Sequence, residues 1–215
     1  MARFKNGIFN QLSGTIGPVV GATWRGIPYI RTKPTKSNSK RKKKSSDAQT
    51  ATRIRFGLAA RLLRNMREIL ELGFRDEAVE KTGMNAAISY TMKHAITGEF
   101  PDFKIAYDHV LISRGKLPNV EQATVTAHAP ETIQFSWTNN EGVGKASGED
   151  KVLLVAYNEE YEAVVFNVGT TRHADTAILE LKGFSGYKVH TWISFISADN
   201  RDVANSVYTG TVVVS

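Results

Sequence analysis

Two periods of hydrophobic recurrence divide the chain. Stepped at 100° per residue from Ile54, the side chains of Leu58, Ala59, Leu62, Leu63, Met66, Ile69 and Leu70 fall on one arc. Arg53, Arg61, Arg64, Arg67, Glu68 and Glu71 fall on the other, so an amphipathic helix is predicted over 47–73. Ser46 followed three residues later by Gln49 is a capping box that starts it, and Gly73 ends it. Met84, Ala87, Ile88, Met92, Ala95 and Ile96 repeat the same period up to Gly98, with Pro101 beyond. That predicts a second helix, packed on the first as a hairpin, followed by an extended stretch over 103–112.

From residue 118 the period shortens to two. Strand-like runs cover 123–128, 132–138, 152–157, 161–168, 176–181, 187–197 and 207–214, separated by Asn, Gly, Asp and Glu clusters. Seven such runs in about a hundred residues predict a β-sandwich of immunoglobulin or fibronectin type III kind. Trp137, Tyr187 and Trp192 are expected in its aromatic core, and 118–215 is expected to fold by itself.

Ahead of the helices, Gly7, Gly14, Gly17, Gly21 and Gly26 punctuate a segment in which Trp24-Arg25-Gly26-Ile27-Pro28 reads as the turn of a β-hairpin at 18–33. Period two places Tyr29, Arg31 and Lys33 on one face of its second strand. Residues 33–46 are too polar and too like-charged to fold alone, and read as an exposed arm. The predicted fold class is therefore α+β: an N-terminal β-hairpin with a basic arm (1–46), a helical hairpin (47–117) and a C-terminal immunoglobulin/fibronectin type III-like β-sandwich (118–215).

Composition changes this picture in two respects. Hydrophobic residues make up 41% of 215 residues, enough for a sizeable core, and the absence of cysteine removes disulfides, thiolate metal sites and cysteine nucleophiles. No apolar run reaches signal-peptide length near the start or the ~18 residues of a membrane span anywhere, so no membrane partner is expected. A cytoplasmic or virion-associated location is expected on the same ground.

Charge is strongly segregated. Residues 1–46 carry eleven Lys or Arg and no acid, 47–117 carry +2 and 118–215 carry −6, for a net +7. The first segment will seek polyanions and the last will repel them. Catalytic signals are lacking: the five histidines, at 94, 109, 128, 173 and 190, have no metal-ligand spacing. Gly142-Val143-Gly144-Lys145-Ala146-Ser147 has Ala146 where a phosphate loop needs Ser or Thr, and Ser185 has no nucleophile-elbow context. The carboxylates at 76, 77 and 80, at 149 and 150, and at 159, 160 and 162 read as solvated loop and helix ends. No enzyme activity, metal or cofactor is expected.

What remains is the cationic path Arg31, Lys33, Lys36, Lys40, Arg41, Lys42, Lys43, Lys44 and Arg53. Neutralising phosphates along it releases counterions and gives DNA or RNA binding without sequence preference, to which Trp24 and Tyr29 add stacking surface for a single strand. Arg64 with Glu68, Arg67 with Glu71 and Arg75 with Glu71 are each four apart, which is how an exposed helix face supports itself, whereas Arg53 and Arg55 near the start lack such acidic partners. The expected role is a non-enzymatic structural protein that contacts nucleic acid through the arm and protein through the sandwich. The alternative is a self-assembling phage virion or filament subunit, a homo-oligomer or larger array in which the arm docks on acidic neighbours.

Several motifs recur together. Arg3-Phe4-Lys5-Asn6-Gly7, Gly14-Thr15-Ile16-Gly17-Pro18-Val19-Val20-Gly21, Trp24-Arg25-Gly26, Asn85-Ala86-Ala87-Ile88-Ser89-Tyr90, Leu111-Ile112-Ser113-Arg114-Gly115 and Ser206-Val207-Tyr208-Thr209-Gly210 span nearly the whole chain. In these the chain resembles an uncharacterised family of similar length from Bacteroidota and their phages. The resemblance implies no catalytic residue, cofactor or activity.

Overall fold

The structure, a computed structural model, describes residues 2–3, 13–24, 26–34 and 45–215. It divides into two compact units, Met1–Ser45 and Ser46–Ser215. In the first, β1 (Ala2–Arg3), β2 (Gly14–Ile16), β3 (Val19–Trp24) and β4 (Ile27–Thr32) form one antiparallel sheet in the order β1-β4-β3-β2. Gly26, at φ +78°, makes the turn between β3 and β4 in a backbone region that side chains with a Cβ rarely enter.

The second unit opens with α1 (Asp47–Arg64), α2 (Arg67–Gly73) and α3 (Gly83–His94). The capping box is formed: Gln49 N–H donates to Ser46 Oγ and Ser46 N–H to the Gln49 side-chain oxygen, each at 3.3 Å. The single helix expected over 47–73 is instead broken at Asn65 and Met66. The Asn65 amide donates to the Glu162 carbonyl, and Met66 is fully buried. Bending there keeps Leu62 and Leu63 before the break, and Ile69 and Leu70 after it, in one core. Arg64, expected to pair with Glu68, pairs instead with Glu162. At the end of α2 a Cβ on Gly73 would collide with the Ile112 carbonyl, so glycine is required by the close approach of another segment.

Between α3 and residue 120 the chain is largely irregular, with the two-residue pair β5 (Ile96–Thr97) and β6 (Lys104–Ile105) and a 3-10 turn at Tyr107–His109. The extended run expected over 103–112 is thus confined to β6. This segment is tied to the sheet by side chains: Trp192 Nε1 donates to the Val110 carbonyl at 3.1 Å, Ile112 N–H to Ser206 Oγ at 2.9 Å, and Ser113 Oγ to the Ala204 carbonyl at 2.9 Å.

Seven strands follow: β7 (Glu121–Ala127), β8 (Thr132–Thr138), β9 (Lys151–Asn158), β10 (Ala163–Thr171), β11 (Thr176–Glu180), β12 (Lys188–Ile196) and β13 (Val207–Val213). They pair antiparallel as β11-β8-β7 and β10-β9-β12-β13, a two-sheet immunoglobulin-like arrangement. Ile133, Phe135 and Trp137 of β8 meet Val152, Leu154 and Ala156 of β9, with Ile193 and Phe195 of β12, between the sheets.

The four-stranded sheet is covered on its other face as well. Leu153, Val155 and Tyr157 of β9, with Trp192 and Ile196 of β12, share a second core with the helices. The larger unit therefore has three layers: small sheet, large sheet and helices. Three expectations change as a result. The boundary expected at 117/118 lies inside one compact unit, because the helices and the large sheet bury each other. Trp192 faces the helices, since alternation puts it on the face opposite Ile193, and Tyr187 lies at the rim, where its hydroxyl meets that of Tyr161 at 2.6 Å.

Candidate nucleic-acid interface and the clefts of the larger unit

In the small N-terminal sheet, register decides which side chains share a face. Val20 lies opposite Arg31, Ala22 opposite Tyr29 and Trp24 opposite Ile27. Cross-strand partners project to the same side, so Trp24, Tyr29 and Arg31 stand on one face. Arg31 is exposed, Trp24 is 45% exposed and Tyr29 is half-buried. Lys33 follows β4, is exposed, and donates its N–H to the Pro18 carbonyl at 2.7 Å. Lys36, Lys40, Arg41, Lys42, Lys43 and Lys44 lie outside the described residues.

Arg53 belongs to the second unit, where it is exposed on α1. Its neighbours on the helix are committed elsewhere. Arg55 donates to the Met92 carbonyl at 2.6 Å and lies over the Phe103 ring, 5.7 Å from its centroid. Arg61 and Arg64 converge on Glu162 of the β9–β10 turn, and the hydrogen bond from Arg61 holds the Glu162 carboxyl below its usual range. This partner lies about a hundred positions along the chain, beyond the reach of i, i+4 arithmetic.

Sequence spacing also missed an aromatic cluster under the helices. Tyr107 stacks on His190 at 3.7 Å between centroids, and Tyr157 and Tyr208 flank them at 6.1 and 6.0 Å. His190 Nδ1 lies 2.8 Å from the Tyr208 hydroxyl. Burial, assisted by Glu159, pushes the Tyr107 phenol well above its ordinary value. Burial also raises Tyr208, with Asp108 adding to it, and lowers His190. At neutral pH the imidazole is therefore uncharged, and its Nδ1 shares one hydrogen bond with the Tyr208 hydroxyl. Such an arrangement clamps the Tyr107 turn onto the sheet. The cleft next to it is lined by Arg61, Glu159 and Glu162.

The phosphate-loop echo at 142–147 forms the β8–β9 connection. Its cleft is bordered by Glu141, Glu149 and His173, and His173 Nδ1 sits 3.2 Å from Glu141. Two carboxylates there oppose a phosphate. Among the described residues no group of three or more His, Asp or Glu side chains is placed to hold a metal ion, and no helix is long and apolar enough to cross a membrane.

A model of a family described as "Family of unknown function (DUF6266)" matches residues 11–210. No curated protein matches the chain. Among solved structures, the fn3 domain of human collagen alpha-1(XX) chain is similar at 12% identity and a TM-score of 0.36, covering 45% of this chain and 85% of that one. The fn3 domain of human contactin 1 is similar at 9% identity and a TM-score of 0.35, covering 48% of this chain and 83% of that one.

Proposed function

The chain belongs to the DUF6266 family of unknown function, and from that premise we propose that it is a non-enzymatic structural protein whose basic N-terminal segment contacts nucleic acid while the three-layer unit makes protein contacts. The observation that carries this reading is the charge: eleven cations and no acid in residues 1–46. Counterion release makes such a segment bind phosphodiester backbones without sequence preference. The exposed Trp24 and the half-buried Tyr29, on one face with Arg31, supply stacking surface for unpaired bases. Replacing Lys36 and residues 40–44 with Gln is expected to weaken binding to a mixed-sequence oligonucleotide. The slope of log affinity against log salt should fall by about 0.7 to 0.9 for each phosphate that is no longer neutralised. Unchanged retention on a polyanion column after that replacement overturns the proposal.

A second reading, self-assembly, is favoured by a different observation. β2 is a fully exposed edge strand with Ile16 62% exposed, and residues 118–215 carry a net −6 that complements the basic segment of another copy. Mass photometry at low salt, with and without residues 1–46, tests it. Particles larger than a monomer that require the segment support assembly, and a monomer under every condition removes it.

A further inference from the structure

The clefts described so far are rimmed by carboxylates, but one beside α3 has the opposite character. Ala86, Ser89, Tyr90 and Lys93 recur at i, i+3, i+4 and i+7 and make one wall, with His94 at its end. Phe74, Glu77 and Arg114 supply the other wall, and Lys81 also lines the cavity, whose volume is about 190 Å³. Phe74 and Ala86 are buried and form an apolar floor. The only carboxylate among these residues is Glu77, set against Lys81, Lys93 and Arg114.

Arg114 is the most constrained of the cations. Its backbone N–H donates to the Gly73 carbonyl at 2.8 Å, and the preceding Ser113 is buried, with its hydroxyl 2.6 Å from Ser194 Oγ. The guanidinium lies over the Tyr90 ring, 5.5 Å from the centroid, with Nε 3.6 Å from a Glu77 oxygen. Glu77 lies at its Nε edge and the Tyr90 ring against its face, and among the described residues its two terminal nitrogens have no hydrogen-bond partner. A guanidinium held in this way presents a planar fork to two oxygens of one ligand. Lys93 is exposed and forms no ion pair among the described residues, so its ammonium adds a compact positive charge and three donors. Ser89 contributes an exposed hydroxyl on the same helix face.

We propose that this cleft binds a phosphate dianion, either free or carried as a monoester at the end of a ligand. A carboxylate would fill the Arg114 fork and leave Lys93 and Ser89 unused. A tetrahedral dianion has oxygens for all three and more charge to offset the local excess. The site lies in the larger unit and uses none of the residues assigned to the basic segment, so it stands or falls separately from nucleic-acid binding by that segment.

The test is a titration of the full chain followed by ¹H–¹⁵N spectra at constant ionic strength. One probe is inorganic phosphate. The other is a short single-stranded oligonucleotide with or without a 5′-phosphate, added to the variant in which Lys36 and residues 40–44 are Gln. Saturable shifts at Ser89, Tyr90, Lys93 and Arg114 are expected with phosphate. Arg114→Gln and Lys93→Gln should each weaken binding by about tenfold, the order expected for removing one charged hydrogen bond. Lys93 is exposed, so K93Q keeps the test decisive if R114Q unfolds. Shifts that require the 5′-phosphate identify a monoester end as ligand, and shifts with inorganic phosphate alone identify the free ion; either outcome supports the site. The proposal is overturned if neither probe gives saturable shifts at these residues, or if K93Q titrates like the parent chain.

Discussion

Arg172 shows how much of this protein's stability rests on one polar side chain. It is fully buried at the end of the sandwich, with Nε and Nη2 each 3.1 Å from Asp150 and Nη2 also donating to the Pro118 carbonyl at 2.9 Å. Its guanidinium lies 4.1 Å from the centroid of the Phe195 ring. Removing one partner strands a buried charge, so Asp150→Ala is expected to cost about 3–5 kcal/mol in urea unfolding. The double variant Asp150→Leu with Arg172→Met should be less destabilised than that single change. His190 supplies a pH dependence of definite sign. Burial lowers its folded pKa below the ordinary 6.5, Lys188 adds to the lowering and Glu159 opposes it. The unfolded chain then binds more protons than the folded one in that interval, and stability falls as pH drops from about 6.5 through the folded value. His190→Phe keeps a ring against Tyr107 and should flatten the plot of Tm against pH there, while an unchanged slope assigns the titration to another group.

At the scale of elements, local chemistry sets the ends and tertiary contact sets the bends. The Ser46 cap is a local device, and Ser46→Ala is expected to cost about 1 kcal/mol, read as a lowered urea midpoint with an unchanged slope. The break at Asn65 is accompanied by a hydrogen bond to the Glu162 carbonyl in the β9–β10 turn, a contact that the periodicity of 47–73 does not encode. The strands were legible nearly to the residue because alternation reports a half-buried sheet, as in the buried Ile133, Phe135 and Trp137 of β8. β9 carried a further signal. Val152 to Tyr157 is apolar without alternation, the pattern of a strand covered on both faces, and it marks where the helices dock.

For the whole molecule, that covered face decides what can be separated. A chain of 118–215 alone would expose Leu153, Val155, Tyr157, Trp192 and Ile196 in place of their helical partners, and it is expected to aggregate during size-exclusion chromatography. A monodisperse all-β monomer would show that the sandwich core alone suffices. Removing residues 1–45 cuts at the division between the compact units and should leave the thermal unfolding of 46–215 cooperative, with an unchanged circular dichroism spectrum over its helices and strands.

The sequence by itself determined the number and placement of the sandwich strands, the capped start of α1 and the segregation of charge, because each is written in a local period, a short spacing or a count. The shared face of Tyr29 and Arg31 follows from the same period of two. Tertiary structure alone decided that the helices cover the large sheet and that Glu162 gathers Arg61 and Arg64. It also decided that Arg172 is buried on Asp150 and that Arg114 meets α3 across a cleft. Those pairings join residues tens of positions apart, and no periodicity encodes which surface of a folded element will be brought against another.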